Sequence, residues 1–447
     1  MKLLVVSPDY ASHYYPLSAV AREWRARGGE AVVAAGPGLA TRIERDGLRR
    51  LDLPLGPGRN PGLARPEEQP GDEGANLRGF LAATEEGMTA TLRYQALRRR
   101  HDLLWQPEQV AARLAELLRE EKPDVVVADQ LAYGATLALR ALRQPYVGLL
   151  PGHPSALPEG DGLFGYPPTH PPRVRADALA LATLRDLSAA VDAAFTRRWN
   201  ATLLALRPDA AAVASAFAAR SPLLTLVAYP DELRVRRHLR GPQVEYVGPL
   251  VRDEPLDARL ARRLARGRRP CVYVALGSFL SARADVLARL VAGVRLLGAR
   301  AVVAHGTTPR SALGPLPRDW VVEETLPQPA VLRRCDLVLC HGGNNTVMEA
   351  LEAGIPVLAA PFASDQFAGA EDVRRAGLGD AVDPNRMLPE EIAWRSRLLL
   401  EGAAAARAAE LGRRLRARPG ADVACDLLEG ALGTNVAGRG PHLVAVG

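Results

Sequence analysis

The chain has 447 residues, a formal net charge of +7 and an ordinary globular composition, with 48 % hydrophobic and 24 % charged residues. At roughly 100–200 residues per domain this length predicts several domains, and the composition excludes a disordered, collagen-like or coiled-coil chain. The positive charge comes from arginines spread along amphipathic stretches, which indicates solvated helix faces and no nucleic-acid-binding surface.

The apolar runs and the cysteines narrow the class of protein further. The longest uncharged apolar runs, such as 3–7 and 355–363, are far shorter than the roughly 20 residues needed to cross a bilayer. The opening MKLLVVSPDY has too short an apolar core for a signal peptide. The four cysteines contain no CxxC pair, which argues against a zinc site or a disulfide framework. We expect a cytoplasmic protein with no integral membrane segment.

In the first half of the chain, short β-type runs alternate with amphipathic helical runs, the pattern of parallel βαβ units. The predicted strands are 3–7, 30–35, 48–55, 125–129, 146–151 and 223–229, and the predicted helices are 17–28, 107–121 and 133–142. Two stretches rich in Pro and Gly, 56–75 and 151–173, are predicted to be long loops.

A second series of the same kind follows. Its predicted strands are 271–277, 300–305, 320–325, 337–340 and 356–361, and its predicted helices are 283–297, 345–353, 367–376, 389–401, 407–416 and 423–432. The two series predict an α/β fold with two Rossmann-like, doubly wound domains facing a central cleft. The predicted boundaries are a first domain at 1–240, a linker at 241–256, a second domain at 257–432 and a flexible tail at 433–447.

Polar residues stand just beyond the carboxyl ends of several predicted strands, where open α/β sheets bind ligands. In the first domain these are His13 and Asp129. In the second domain they are Ser278, His341, and Asp365 with Gln366. Two such rows in two domains predict a ligand cleft between them.

The densest signal is HGGNNTVMEA, which begins at His341. A strand runs into Gly342 and Gly343 and then into a helix with Asn345 and Thr346 in its first turn. Such a turn exposes backbone N–H groups and the positive helix end to an anion such as a diphosphate, and Glu349, about one turn further on, could reach a ribose diol. The alternative is a tight turn with an incidental histidine and an ordinary helix cap.

This segment resembles the donor-binding signature of the family 1 nucleotide-sugar glycosyltransferases, which have the GT-B fold. The resemblance covers 327–379 and rests on PQ, HGG, Thr, Glu and DQ elements in ordinary order. Weaker support comes from VYVALGS, YVGPL and the opening SPDYASHYYPLSAVAREW, which is similar to the family's His-x-x-Pro stretch. The likeness covers most of the second domain closely and the first domain loosely.

The resemblance implies a role for each matching residue. His13 would be the general base for the acceptor hydroxyl, and Asp129 would orient it, with Asp124 as the rival orienter. The implied donor contacts are the diphosphate for His341, Gly342, Gly343, Thr346 and Ser278, the ribose for Glu349, the nucleobase region for Gln328, and the sugar hydroxyls for Asp365 and Gln366. Asn345 is also implied to be a donor-binding residue. Two positions depart from the family pattern: Ser12 stands where glycine is usual and Gly369 where asparagine is usual.

The implied reaction is inverting transfer of a sugar from a UDP- or dTDP-linked donor to a hydroxyl or other nucleophile of a small lipophilic acceptor, such as a bacterial natural product. The nucleotide sugar is a co-substrate, and no cofactor is implied. Because the chain contains no DxD carboxylate pair, no metal is expected either.

Other functions remain possible at this stage. A GT-B nucleotide-sugar epimerase shares the fold, and a non-catalytic relative would bind nucleotide sugar or acceptor without turnover. A dehydrogenase is disfavoured because no predicted strand is followed by GxGxxG. The sequence leaves open the identity of the acceptor and sugar, the choice of UDP or dTDP, and the oligomeric state.

Overall fold

The computed structural model describes residues 1–234, 239, 241, 243–265 and 270–437. The first half contains alternating strands and helices. In chain order they are β1 (Lys2–Val6), α1 (Ala11–Ala26), β2 (Glu30–Ala35), α2 (Ala40–Arg45), β3 (Arg49–Asp52), α3 (Glu73–Glu86), α4 (Met88–Asp102), α5 (Pro107–Glu121), β4 (Val125–Asp129), α6 (Tyr133–Ala141), β5 (Val147–Leu150), α7 (Ala178–Leu206), β6 (Leu224–Val227) and β7 (Val244–Tyr246).

Within the described residues these strands form one parallel sheet in the order β3-β2-β1-β4-β5-β6-β7. The central strands are apolar throughout because helices cover both faces of the sheet, and Leu3 and Val127 are fully buried. The strand order reverses between β1 and β4. Loops that leave the carboxyl ends of these two strands diverge to opposite sides, which opens a crevice for a ligand.

The second half repeats the plan. Its elements are α8 (Ala258–Ala265), β8 (Cys271–Ala275), α9 (Gly277–Leu280), α10 (Ala284–Leu297), β9 (Arg300–Ala304), β10 (Val321–Glu323), α11 (Gln328–Leu332), β11 (Leu337–Cys340), α12 (Asn344–Ala353), β12 (Val357–Ala359), α13 (Gln366–Arg375), β13 (Gly379–Ala381), α14 (Pro389–Glu401), α15 (Ala403–Ala417) and α16 (Gly420–Ala437). The described strands pair in parallel in the order β10-β9-β8-β11-β12-β13. The predicted α/β fold with two Rossmann-like domains is confirmed.

The domain boundaries differ from the predicted ones at two points along the chain. Strand β7 lies inside the predicted linker at 241–256 and pairs with β6 at the edge of the first sheet. Helix α16 leaves the second domain and packs on the first, since Cys425 and Leu428 share a core cluster with Val20 and Trp24 of α1. The helix continues through 433–437, and residues 438–447 of the predicted tail, like residue 242 of the linker, lie outside the described residues.

A helical insertion of the first domain reaches the second one. Helices α3 and α4 follow the Pro- and Gly-rich loop, and Met88 and Leu92 of α4 pack in one apolar cluster with Phe367 of α13. The 29-residue helix α7 contributes Leu184 to the same cluster. None of the helices in the described ranges is both long enough and apolar enough to traverse a bilayer.

Candidate active site

The first part of the site is a histidine paired with a carboxylate. His13 lies in the first turn of α1, directly after β1, and Asp129 is the last residue of β4, the neighbour of β1 in the sheet. The Nδ1 atom of His13 is 2.7 Å from Oδ2 of Asp129, and the backbone N–H of Leu131 donates to Oδ1 of Asp129 at 2.8 Å. The structure therefore brings this predicted pair together.

The alternative prediction, that Asp124 orients His13, is wrong. Asp124 precedes β4 at the opposite end of the strand, and its Oδ2 accepts a hydrogen bond from the backbone N–H of Lys2 at 2.6 Å. A residue at the amino end of a parallel strand lies on the other edge of the sheet from the site.

The surroundings of His13 set its basicity. Burial lowers the pKa of His13, but the charge and hydrogen bond of Asp129 and the more distant charge of Asp365 outweigh burial, so that the net pKa lies above the ordinary 6.5. Asp129 is completely buried, whereas 28 % of the His13 side chain is exposed. The pair thus combines a fixed, buried carboxylate with an imidazole that an acceptor can reach.

The second part of the site is the turn between β11 and α12. Gly342 has a φ of +77°, a left-handed conformation that favours glycine, and Gly343 precedes the first residue of α12. The ring of His341 lies against two glycines, because a Cβ on Gly343 would be 2.2 Å from Nε2 and a Cβ on Gly277 would be 2.6 Å from Cε1. Nδ1 of His341 is buried with no hydrogen-bond partner among the described residues. Burial lowers the pKa of His341 to about 4, so the ring is neutral at physiological pH.

The third part of the site is a cluster of hydrogen-bonded polar side chains on α11 and α12. The Nε2 amide of Gln328 donates to Oε2 of Glu349 at 2.6 Å and to Oγ1 of Thr346 at 3.2 Å. Arg252, from the predicted linker, donates to the other carboxylate oxygen of Glu349 at 3.3 Å and lies 3.6 Å above the ring of Tyr15. Burial raises the pKa of Glu349, while Arg252 and Gln328 lower it, and the net pKa is raised. The three predicted residues are brought together with an arginine that was not predicted.

Hydrogen bonds across the cleft connect the part of the site in the first domain with the part in the second domain. Asn345 of α12 donates from Nδ2 to the backbone carbonyl of Ser12 at 2.7 Å, next to His13. Asn60 of the first domain donates from Nδ2 to Oγ of Ser278 at 2.7 Å. These contacts place the amino end of α12 beside the histidine and carboxylate pair.

The predicted Asp365 and Gln366 have different partners. Asp365 precedes α13, and its Oδ2 accepts the backbone N–H of His153 at 2.9 Å. Oε1 of Gln366 accepts the backbone N–H groups of Phe362 and Ala363 of its own loop, at 3.0 and 3.2 Å. Each of the two side chains thus has backbone donors of its own as partners. Their roles in binding the sugar stay predictions.

Sequence reasoning missed several residues of this cleft. His153, Tyr229 and Asp372 form a buried cluster between the domains. Their positions show no common spacing, so no local pattern could have found them. Arg252 stands in the quoted segment YVGPLVRDEP, and its position next to the YVGPL element was the one available signal.

Known proteins are similar to this chain in sequence. Residues 288–429 match the family described as Erythromycin biosynthesis protein CIII-like, C-terminal domain. The chain is 26 % identical to demethyllactenocin mycarosyltransferase of Streptomyces fradiae over 94 % of this chain and 84 % of that protein. It is 27 % identical to 4'-demethylrebeccamycin synthase of Lentzea aerocolonigenes over 96 % of this chain and 99 % of that protein.

Solved structures are similar over nearly the whole chain. The glycotransferase of kitacinnamycin has a TM-score of 0.66 at 24 % identity, covering 96 % of this chain and 98 % of that one. Glycosyltransferase VinC in complex with dTDP has a TM-score of 0.63 at 21 % identity, covering 97 % and 100 %. The chain is a glycosyltransferase with the GT-B fold, and it is similar over nearly its whole length to sugar transferases named for bacterial natural products.

Proposed function

We propose that this chain transfers a sugar, with inversion, from a dTDP- or UDP-linked donor to a nucleophile on a small lipophilic acceptor, with His13 as the general base. The observation that carries the proposal is the hydrogen bond from Asn345 to the Ser12 carbonyl, which holds the amino end of α12 beside His13. A donor diphosphate at that helix end would present its sugar to an acceptor at His13.

The hydrogen bonds around His13 support its role as the base. Asp129 is an acceptor toward the backbone N–H of Leu131, and its second oxygen faces Nδ1 of His13. A carboxylate in that position favours a proton on Nδ1, which leaves Nε2 of His13 to accept the proton of the acceptor hydroxyl. Asp129 then stabilises the imidazolium that forms, and the acceptor oxygen attacks the anomeric carbon from the face opposite the leaving diphosphate.

The leaving group is stabilised by α12. The free backbone N–H groups and the positive end of the ten-residue helix favour the charge that develops on the nucleoside diphosphate. His341 can contribute an N–H from a neutral ring. We propose that these groups serve in place of a divalent cation, in line with the lack of a DxD pair in the sequence.

The donor and acceptor classes rest on the relatives. VinC was solved with dTDP, which favours a dTDP-sugar here. The compounds in the names of the relatives, 4'-demethylrebeccamycin and demethyllactenocin, favour a lipophilic natural product as acceptor. In this chain, Tyr10 lies 6.0 Å from His13 and 6.3 Å from Phe279 between ring centroids, and these two rings would form an apolar wall beside the base.

The proposal is tested by transfer from a panel of dTDP- and UDP-sugars to lipophilic aglycones in excess EDTA. We expect an α-linked donor to give a β-linked product, and His13→Ala to lower kcat by about 10²–10⁴-fold with nearly unchanged affinity for dTDP. His305→Ala is the matched control, because its ring bonds Thr308 of its own loop. Turnover by His13→Ala at the wild-type rate, a retained anomer, or loss of activity in EDTA would contradict the mechanism. Binding of donor without any transfer would favour the non-catalytic alternative.

A further inference from the structure

A buried polar cluster between the domains is not used by the mechanism above. It consists of His153, which follows β5, Tyr229, which follows β6, and Asp372 on α13 of the second domain. Their exposed fractions are 1 %, 1 % and 3 %. Burying a carboxylate is costly unless donors compensate it, so the partners of Asp372 are informative.

The hydrogen bonds fix the tautomer of His153. The backbone N–H of Ser155, which can only donate, points to Nδ1 of His153 at 3.1 Å. The proton of the neutral ring therefore lies on Nε2, which donates to Oδ2 of Asp372 at 2.8 Å. The hydroxyl of Tyr229 donates to the same oxygen at 3.0 Å. Two donors from the first domain thus hold one carboxylate of the second domain.

The same histidine also binds the start of α13. Its backbone N–H donates to Oδ2 of Asp365 at 2.9 Å. Asp365 and Asp372 are seven residues apart, about two helical turns, and face the first domain together. His153, in the loop after β5, therefore contacts this helix region twice: its backbone N–H donates to Asp365 and its ring donates to Asp372.

Gly369 lies beside this arrangement. It lies on α13 between the two aspartates, and a Cβ built on it would be in ordinary van der Waals contact with Cδ2 of His153, at 3.7 Å. The position that departs from the family pattern therefore packs next to the ring from the other domain. His153, Asp365 and Gly369 also line one small cleft with Gly342 of the diphosphate turn.

We propose that His153 is a positioning residue for the donor sugar: through Asp372 it holds α13 against the first domain and so sets the place of the Asp365 carboxylate in the cleft. This inference rests on the proposed function, in which Asp365 binds the sugar hydroxyls. It does not concern the diphosphate, which binds at α12.

The test compares the affinity for dTDP with that for dTDP-glucose by calorimetry. His153→Leu removes both ring contacts at similar volume, and His153→Gln keeps an N–H donor near the position of Nε2. We expect His153→Leu to leave the dTDP Kd within about two-fold and to weaken dTDP-glucose binding about ten-fold, the loss expected for a displaced charge-assisted hydrogen bond. His153→Gln should restore most of the affinity. His170→Leu, in the same loop, is the control.

Tyr229→Phe removes one donor to Asp372 with little change in volume, and it should show a smaller change of the same kind even if His153→Leu does not fold. Asp365→Asn tests the sugar-binding role of Asp365 separately from the positioning role of His153. If Asp365→Asn weakens dTDP-glucose binding and neither His153→Leu nor Tyr229→Phe does, the positioning role is overturned and the proposed function stands. If Asp365→Asn has no effect, or wild type binds dTDP-glucose no more tightly than dTDP, the sugar role of Asp365 and the inference both fail. Equal losses for dTDP and dTDP-glucose in His153→Leu and Tyr229→Phe would indicate a merely structural role and overturn the inference.

Discussion

Two histidines of the site have opposite electrostatic surroundings. Asp129 and Asp365 raise the pKa of His13 against the effect of burial, whereas burial without a counter-charge lowers the pKa of His341 to about 4. A group that must accept a proton benefits from a neighbouring carboxylate, while a group that must donate an N–H to a diphosphate is useful when neutral. The two environments thus fit the proposed roles of His13 as the base and of His341 as a donor-binding residue.

The pH dependence of transfer should follow His13. The base works only when neutral, so kcat/KM should rise with pH through a pKa that Asp129 holds above 6.5. Asp129→Asn removes the charge, and we expect the acid limb of the kcat/KM profile to move to lower pH while the plateau falls by about 10²-fold or more, because the imidazolium is no longer stabilised. Asp124→Asn is the matched control and should leave the profile in place. An unchanged acid limb in Asp129→Asn would assign that limb to another group.

His13 and Asp129 could be placed at the same end of the sheet because His13 comes shortly after one predicted strand and Asp129 ends another, and parallel strands bring their carboxyl ends together. Their pairing was implied by the family resemblance. His153 could not be predicted in the same way. Its ring partner Asp372 is 219 positions away and belongs to the other domain. A contact of that kind depends on how the two domains pack, and no periodicity along the chain encodes it.

The turn into α12 has the local structure that the proposed diphosphate site requires. Strand β11 is fully buried, and the chain reverses through Gly342 in a left-handed conformation before α12 begins. The ring of His341 lies so close to Gly277 and Gly343 that neither position has space for a Cβ.

Gly343→Ala should therefore weaken nucleotide binding. The φ of Gly343 is −63°, which alanine adopts without strain, so the effect comes only from a Cβ that would lie 2.2 Å from Nε2 of His341. We expect the Kd for dTDP, measured by calorimetry, to rise about ten-fold or more as the ring is displaced. Gly430→Ala on α16, where a Cβ meets nothing within 4 Å, is the control and should bind dTDP normally. Normal dTDP affinity in Gly343→Ala would mean that the ring does not contact the nucleotide.

Most strands of both sheets were predicted because they are continuous apolar runs bounded by turn residues. The elements that were not predicted include the helices α3, α4 and α7, the short helices α2, α9 and α11, and the strands β7 and β13. The sequence of helix α4, MTATLRYQALRRRHD, is rich in polar residues, and β13 is the three residues GDA. Such segments have no pattern of their own, and their structure depends on the neighbours that they contact, α3 and α7 for α4 and β12 for β13.

The two domains are joined twice by the chain. The first connection runs from β7 through 247–257 to α8, and the second runs from α15 to α16, back onto the first domain. The two crossings touch, since a Cβ on Gly420 would lie 2.4 Å from the carbonyl oxygen of Pro249. The last described helix of the chain thus completes the core around α1, the helix that carries His13.

Truncating Leu428 should therefore destabilise the first domain, although the residue lies at the far end of the sequence. Leu428 is fully buried in the cluster with Val20 and Trp24, and Leu→Ala changes in such cores cost about 2–5 kcal/mol. At roughly 2–4 °C per kcal/mol we expect Leu428→Ala to lower the Tm by about 5–10 °C in a thermal melt. Arg27→Ala breaks ion pairs with Asp426 and Glu429 on the same interface, but these groups are exposed, so its effect should stay within about 2 °C. If the two variants lowered the Tm equally, α16 would be bound to the first domain by its surface ion pairs and would contribute nothing to the core of that domain.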